Sequence, residues 1–546
     1  MKAFGELLDR LAFESARGAK LRLLEAYFRS TPDPDRGFAL AALTGTLSFT
    51  HAKPSLAWEI CAERVAPELI GWSYDYVGDL AETVALIWPA SSAAPDPPRL
   101  EEVVTSLAGV EREAIAPRLR ALLDRLDAIG RWALLKLVTG NPRVGVSARL
   151  AKTAVAAIGS IGSIGSIGSP GSLGSIESIG VEAVEEVWHA LEPPYLELFA
   201  WLEGRGPRPD TEQRPTFRPP MLAHAITERD LASLSPEDWI AEWKWDGIRV
   251  QLVGVAGQVR LFSRSGEDLT AAFPDVIAPY QVTLDGELLI VRDGEAAPFA
   301  DLQKRLNRKK VSAALLRDYP AFIRLYDLLF ESQEDLRALP FVERRRRLEA
   351  WFAKDRRPRM DLSPLVPFES WAELEAMRAR VERPAVEGVM LKRKDSPYLA
   401  GRPKGGWWKW KRDPLLVDAV LMYAQRGSGK RSSYYSDYTF GVWTEQGELV
   451  PVGKAYFGFT DEELAALDRW IRGHTVGRFG PVREVEKALV LEVAFEGLQR
   501  SRRHKSGLAM RFPRIRRIRW DKPAAEADRL ATMFELVSFL EARTET

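Results

Sequence analysis

The strongest constraint on how this chain can fold is a change of hydrophobic period near Pro207. Before that point apolar residues recur at helical spacing: Leu7, Leu8 and Leu11 form one stripe, and Leu21, Leu24 and Phe28 another. Pro32 and Pro34 end the second of these helices, and stretches at 55–65, 76–87 and 115–126 repeat the pattern. A proline-rich connector runs from Pro207 to Pro220, and beyond it short segments alternate apolar with polar residues, as half-buried strands do. Ile248, Val250 and Leu252 share one face of the first strand, and others follow at 259–262, 282–290 and 322–325 with helical segments between them. From Asp418 onward strand signals dominate, at 419–423, 438–443, 452–456 and 490–495. A chain of 546 residues exceeds what one core usually organises. The expected architecture is therefore an all-α domain over 1–206, an α+β domain over 207–413, and a C-terminal OB-fold β-barrel over 414–546.

One tract interrupts the helical part. From Gly159 to Gly180 the triplet Gly-Ser-Ile recurs in near-perfect tandem. Glycine at every third position suits a collagen helix only with proline enrichment and far greater length, both missing here. The tract reads as a flexible insert between two helices, because glycine and serine supply no core.

Hydrophobic content of 46% and charged content of 28% are those of an ordinary folded protein, and no apolar run is long enough to cross a bilayer. Met1 to Arg10 lacks the layout of a signal peptide, and Cys61 is the only cysteine. Disulfides within the chain and zinc modules built from several cysteines are excluded, and a reducing cytoplasm is expected. The net charge of +1 hides a local asymmetry: residues 500–522 carry ten Lys or Arg against one acid, Asp521. Phe512, Ile515 and Trp520 interrupt that block, which favours a folded basic face for a phosphate backbone over a tail. The basic run from Lys304 to Lys310 reads as a solvated helix.

The tract Glu242-Trp243-Lys244-Trp245-Asp246-Gly247-Ile248-Arg249 sets a lysine between tryptophans at a strand end, just before a turn-forming Asp-Gly pair. Partial burial against aromatic surface would disfavour the ammonium and lower the lysine pKa, as a nucleophilic amine requires. Alone, a lysine beside a turn is more often an ordinary surface residue. Further along stand Ser263-Arg264-Ser265-Gly266, Leu284-Asp285-Gly286-Glu287, Tyr326-Asp327-Leu328-Leu329-Phe330, Glu387-Gly388-Val389-Met390-Leu391-Lys392 and Trp408-Lys409-Trp410-Lys411. The ordered set closely resembles motifs I, Ia, III, IIIa, IV and V of ATP-dependent DNA ligases and mRNA capping enzymes. Ser506 to Ile515, with its Arg-Phe-Pro-Arg core, resembles the ligase version of motif VI.

The resemblance implies a chemistry. An amine attacking the α-phosphate of ATP expels pyrophosphate, so negative charge must be held by Mg²⁺ and by cations. Lys244 would be the nucleophile, Glu287 and Glu387 the metal carboxylates, and Lys392, Lys409 and Lys411 the cations for the α-phosphate. Carried over from the family, Glu242 contacts adenine, Arg249 reaches the ribose, Arg264 binds near ribose and phosphate, and Tyr326 stacks on the base. Tyr326 departs from the commoner phenylalanine and adds a hydroxyl that needs a partner. A basic ligand usually precedes motif V by about six residues; Pro403 stands there, so Arg402 or Lys404 is expected to substitute. Arg511 would orient the pyrophosphate.

Gly427 to Lys430 and the tract from Val452 to Thr460 resemble the ligase OB domain, and the former lacks the glycine spacing of a P-loop. Leu137 to Gly140 and Arg143-Val144-Gly145-Val146-Ser147 resemble the phosphate grip of the ligase DNA-binding domain, so Arg143, Gly145 and Ser147 are candidate DNA contacts. The bland reading of that loop is a helix cap. The opening Met1-Lys2-Ala3-Phe4 and the tract from Tyr74 to Thr83 are similar to the bacterial ligases described as cisplatin-damage-response ligases. The resemblance implies sealing of nicks in double-stranded DNA during repair, recombination or replication, by a monomer that uses ATP and Mg²⁺ through lysyl-AMP and a 5′-adenylated DNA intermediate. RNA ligases and GTP-using capping enzymes are the nearest competitors, and the large helical N-terminal part argues against both. A DNA-binding scaffold with a decayed nucleotide site is disfavoured because every catalytic position is occupied.

Overall fold

A computed structural model describes the chain except residues 48, 50, 90–95, 141, 163–178, 307, 309–310, 355, 382–384, 427–434, 457–459, 481, 503 and 546. The described residues form two compact units: Met1–Val184 with Leu191–Pro209 and Leu415–Phe534, and Glu185–Ala190 with Asp210–Pro414 and Glu535–Thr546.

The N-terminal part of the first unit is helical, as the period requires. Lys2–Phe13 buries Leu7, Leu8 and Leu11, and Arg17–Ser30 buries Leu24 and Phe28. The stretch expected as one helix over 76–87 is broken in two. Gly78 ends Pro67–Val77 in the left-handed conformation, and the Asp79 side chain caps the N-terminus of Leu80–Ile87. Ala148–Gly162 runs into the Gly-Ser-Ile tract, so its first residues are helical and not loop. A Cβ on Gly159 would meet the Leu202 carbonyl oxygen at 3.2 Å, so this glycine allows close packing. Most of the repeat, and the 427–430 and 457–459 tracts, lie outside the described residues.

The C-terminal part of this unit is β-rich. Leu415–Arg426 is its longest strand and pairs with Tyr435–Trp443, Val482–Val485 and Val490–Phe495. Its described strands form an open path from Leu449–Ala455 to Thr475–Phe479, with Val490–Phe495 and Arg514–Arg519 branching from it. Two helices, Asp461–Gly473 and Leu530–Glu545, accompany strands that the sequence pattern alone suggested. Part of the basic block is paired with acids. Arg514 meets Glu496 at 3.5 Å, Arg516 meets Glu492 at 3.3 Å, and Arg519 and Lys522 meet Asp418 at 3.1 and 2.8 Å.

The second unit holds two sheets. One runs His224–Ala225, Trp407–Lys411, Val386–Arg393, Trp239–Trp245 and Leu365–Val366. The other runs Gln258–Ser263, Ile248–Val255, Val282–Arg292, Ala321–Glu331 and Glu334–Asp335, with short partners on its central strands. Val250 and Leu252 enter its core beside Leu284, Leu288, Ile323 and Leu325, with Ile248 packed at the edge. The helix Phe299–Gln303 ends before the expected Lys304–Lys310 helix begins, and residues 304–306 form a turn. Arg305 is fully buried and grips Asp275 with both terminal nitrogens at 2.7 Å. A pure charge pattern hid this residue, because a single internal carboxylate decides which arginine of a run goes inside.

Candidate active site

The end of the Trp239–Trp245 strand positions Lys244. Strand alternation sends its flanking tryptophans to the opposite face: the Trp245 indole donates to the Ser363 hydroxyl at 3.1 Å, and Trp243 packs with Trp239 and Leu374. The expected aromatic bed under the amine is therefore replaced by a carboxylate. Lys244 Nζ lies 2.5 Å from Glu387 Oε2. Glu387 reaches it from the antiparallel Val386–Arg393 strand, where a bulge between Val386 and Gly388 re-aims the side chain. Gly388 is required there: its φ is +146°, and a Cβ would stand 2.2 Å from the Trp410 carbonyl oxygen.

Around this pair the charges sort by sign. Burial raises the Glu387 pKa, but Lys244, Asp246 and Lys411 outweigh it and hold the carboxyl at about 2, so it is an anion. Glu287, half-buried on the neighbouring Val282–Arg292 strand, goes the other way. Burial drives it up to about 8 against the pull of Lys244 and Arg249, with Glu387 and Asp246 adding to the rise. Lys411 Nζ stands 3.8 Å from Glu387. Burial lowers the Lys409 pKa, and repulsion from Arg402, Lys411, Lys244 and Arg264 lowers it further. Arg264 is lowered in the same way, by burial and then by Arg249 and Arg402. Arg402 is thus among the residues whose charge is felt by this group. Lys244, Arg264, Arg402 and Lys411 all repel the Lys409 ammonium, an arrangement that an anion relieves.

Next to this cluster lies a buried polar end. Arg249 donates to both oxygens of Asp285 at 3.0 and 2.6 Å, to the Met221 carbonyl at 2.6 Å and to the Tyr398 hydroxyl at 3.0 Å. Burial alone would lower its pKa, but Asp285 keeps the guanidinium well above its usual value. Tyr398 donates in turn to Asp285 at 2.6 Å. Tyr326 stands beside Arg249, whose guanidinium is 5.8 Å from the ring centre. Burial, and then Asp285, raise the pKa of its hydroxyl, so it stays protonated.

Lys392, expected at the α-phosphate, lies beside Glu242 and Tyr326. Its ammonium bonds Glu242 at 2.8 Å and the Tyr326 carbonyl at 3.3 Å, and sits 4.5–4.7 Å from the ring centres of Tyr326, Phe341 and Trp407. Five strand positions from Glu387, it faces the Glu242 end and not the cation cluster. Burial lowers its pKa, opposed by Glu242. Asp285, Tyr398, Asp246 and Arg345 escaped the sequence reading as site residues. Asp285 and Asp246 stood inside quoted motifs, whereas Tyr398 and Arg345 carry no local signal.

In the other unit, the Arg143–Ser147 loop joins the helices Ala128–Val138 and Ala148–Gly162. Arg143 has a φ of +50° and Gly145 of +67°. Lys20 reaches up from Arg17–Ser30 and donates to the carbonyls of Val144 at 2.5 Å and Gly145 at 3.1 Å. Drawing two successive carbonyls inward turns the adjoining amides outward. The Ser147 hydroxyl accepts from the Leu150 amide at 3.2 Å, so it does cap a helix. Arg511 lies in this unit too, on the strand Leu508–Arg511, 5.2 Å from the Phe512 ring centre.

The profile described as ATP dependent DNA ligase domain matches residues 220–411, and that described as ATP dependent DNA ligase C terminal region matches 431–522. A probable DNA ligase of Koribacter versatilis is 31% identical, over 98% of this chain and 96% of that relative. DNA ligase 1 of Korarchaeum cryptofilum is 29% identical over 98% of both chains. Among solved structures, Pmar-Lig_PreS3 shares the fold, with a TM-score of 0.57 at 15% identity over 94% of this chain and 99% of its own. The chain therefore belongs to the ATP-dependent DNA ligases, enzymes that use ATP to join nicks in duplex DNA.

Proposed function

We propose that nick sealing proceeds by passing AMP from ATP to Lys244, from Lys244 to the DNA 5′-phosphate, and from there to solution. Lys244 Nζ attacks the α-phosphorus, forming an N–P bond as the bond to pyrophosphate breaks. A 5′-phosphate oxygen of the nicked strand then takes the AMP and frees the amine. The 3′-hydroxyl attacks the activated 5′-phosphate and expels AMP. The observation that carries this reading is the 2.5 Å contact of Lys244 with Glu387, beside Lys409, on which the charges of Lys244, Lys411, Arg402 and Arg264 all act. Lys409, Lys411, Arg402 and Arg264 hold phosphate oxygens. Arg249 and Tyr326 hold ribose and base, and Glu242, with Lys392 behind it, meets the base edge.

Carboxylate oxygens of Glu287 and Glu387 are the donors that Mg²⁺ takes alongside substrate phosphates and water, so the residues present fit that ion. Bound there, Mg²⁺ would supply positive charge to the α-phosphate as pyrophosphate departs. Glu387 has two claims on it, since the same carboxylate restrains the Lys244 amine; its release frees the nucleophile. The same proposal divides the chain into a DNA-gripping part over 1–206 with Arg143, Gly145 and Ser147, a nucleotidyl-transfer part over 207–413, and an OB-fold over 414–546 that brings Arg511 to the pyrophosphate. It also makes the enzyme a cytoplasmic monomer of the bacterial damage-response type. Among the described residues no helix is long and apolar enough to cross a membrane. Incubation with α-labelled ATP and Mg²⁺ followed by denaturing electrophoresis should give a labelled band that nicked DNA discharges. A band discharged only by nicked RNA, or none at all, would overturn the reading.

A further inference from the structure

The helix Phe341–Lys354 carries four consecutive arginines, Arg344 to Arg347, a pattern that ordinarily marks a solvated face. Here the run divides. Arg346 and Arg347 stay outside and pair with Glu343, Glu331 and Glu334. Arg344 and Arg345 turn inward. Arg344 closes on both oxygens of Asp327, the residue after Tyr326, at 2.8 and 3.0 Å, and neither side chain is exposed. Arg345 donates to Glu242 Oε1 at 3.1 Å, while Lys392 takes Glu242 Oε2 at 2.8 Å. Arg345 is itself aimed by Glu349, one turn on, whose carboxylate accepts from its Nε at 2.7 Å.

Glu242 is 2% exposed, so its charge survives only with help. Burial raises its carboxyl pKa, and Lys392 and then Arg345 pull it back. A carboxylate with one bond on each oxygen retains two acceptor sites and has no donor. Such an edge accepts from the 6-amino group of adenine and repels the 6-oxo group of guanine or hypoxanthine. A protonated Glu242 would present a donor and reverse that preference.

We propose that Arg345 is a positioning residue for base selection, holding Glu242 as a pure acceptor so that self-adenylation takes 6-aminopurine nucleotides over 6-oxopurine ones. This rests on the reading of Glu242 as the residue at the base edge. The Glu242–Arg345 pair joins the Lys244 strand to a helix that contributes no group to the phosphates, so its loss acts on the base and leaves the cation cluster intact.

The test is the ratio of kcat/KM for lysyl-AMP and lysyl-IMP formation, measured with ATP and inosine triphosphate on the full chain. Arg345→Met should lower that ratio by about tenfold or more, mainly through a higher KM for ATP. Arg345→Lys should restore most of it, and Arg345→Gln, which keeps a donor without the charge, should fall between. Glu242→Gln separates the two claims. If it lowers the ratio while Arg345→Met and Arg345→Gln do not, the role of Arg345 is overturned and the base-edge reading stands. If Glu242→Gln also leaves the ratio unchanged, both fall, although lysyl-AMP formation by the native chain still supports the ligase reaction. A loss of kcat alone, equal for both nucleotides, means Arg345 only ties helix to sheet and overturns the inference. So does failure of Arg345→Lys to restore the ratio.

Discussion

Lys244 and its neighbours make sharp demands on single substitutions. Lys244→Ala should abolish the labelled adduct and sealing of an ordinary nick, yet keep part of the sealing of a pre-adenylated nick, because the last step needs no amine; a heat-stable adduct in the variant would remove Lys244 as nucleophile. Glu287 gives a pH signature. Its carboxyl is raised from 4.5 to about 8 by burial, so the folded state binds this proton more tightly than the unfolded chain does. The stability this contributes is complete below the ordinary value and is lost as pH rises through about 8. Melting of the metal-free protein between about pH 5 and pH 9 should show that decline, and Glu287→Gln should flatten it. Arg344→Met should cost about 3–5 kcal/mol in denaturant titration, because it strands the Asp327 charge where neither partner was exposed.

At the scale of the element, the strand Trp239–Trp245 and the loop 143–147 show what a sequence can and cannot convey. The motif around Lys244 was legible because its residues are contiguous, and periodicity located the strands around it within a few residues. What lay hidden was the partner of each group. Glu387 is 143 residues from Lys244, and a bulge, invisible to a period-two pattern, brings the two together. Lys20 is 124 residues from Val144, on a helix whose face looked like ordinary core. Lys20→Met should release the loop carbonyls and weaken nicked-DNA binding by about tenfold in a gel-shift titration while sparing self-adenylation. Equal loss in both assays would mean that Lys20 only stabilises the helices. The break at Gly78 was missed for the opposite reason: its signal, Gly-Asp between apolar stretches, is local but competes with an unbroken helical period on either side.

For the whole molecule the division of labour can be read from two variants. Arg143→Ala should weaken nick binding and make it less steeply dependent on salt, because one phosphate fewer is neutralised, yet spare lysyl-AMP formation. Arg511→Ala should do the reverse, blocking self-adenylation and sparing the sealing of a pre-adenylated nick; a shared defect in both steps for either variant counts against the division. The ion pairs that Arg514, Arg516, Arg519 and Lys522 make with Glu496, Glu492 and Asp418 also limit how much of the basic block can meet phosphate. Its contribution to salt dependence should therefore be smaller than a count of its charges suggests. The Lys244–Glu387 contact has a further consequence, one of self-protection. A cell contains aldehydes, thioesters and sugar phosphates that acylate or glycate reactive amines without any enzyme. An amine clasped by a carboxylate at 2.5 Å offers them little, so the resting protein should age slowly at its most valuable side chain. Mild amine acylation read by peptide mass spectrometry should mark Lys244 less than exposed lysines such as Lys53, and Glu387→Gln should expose it to the same damage.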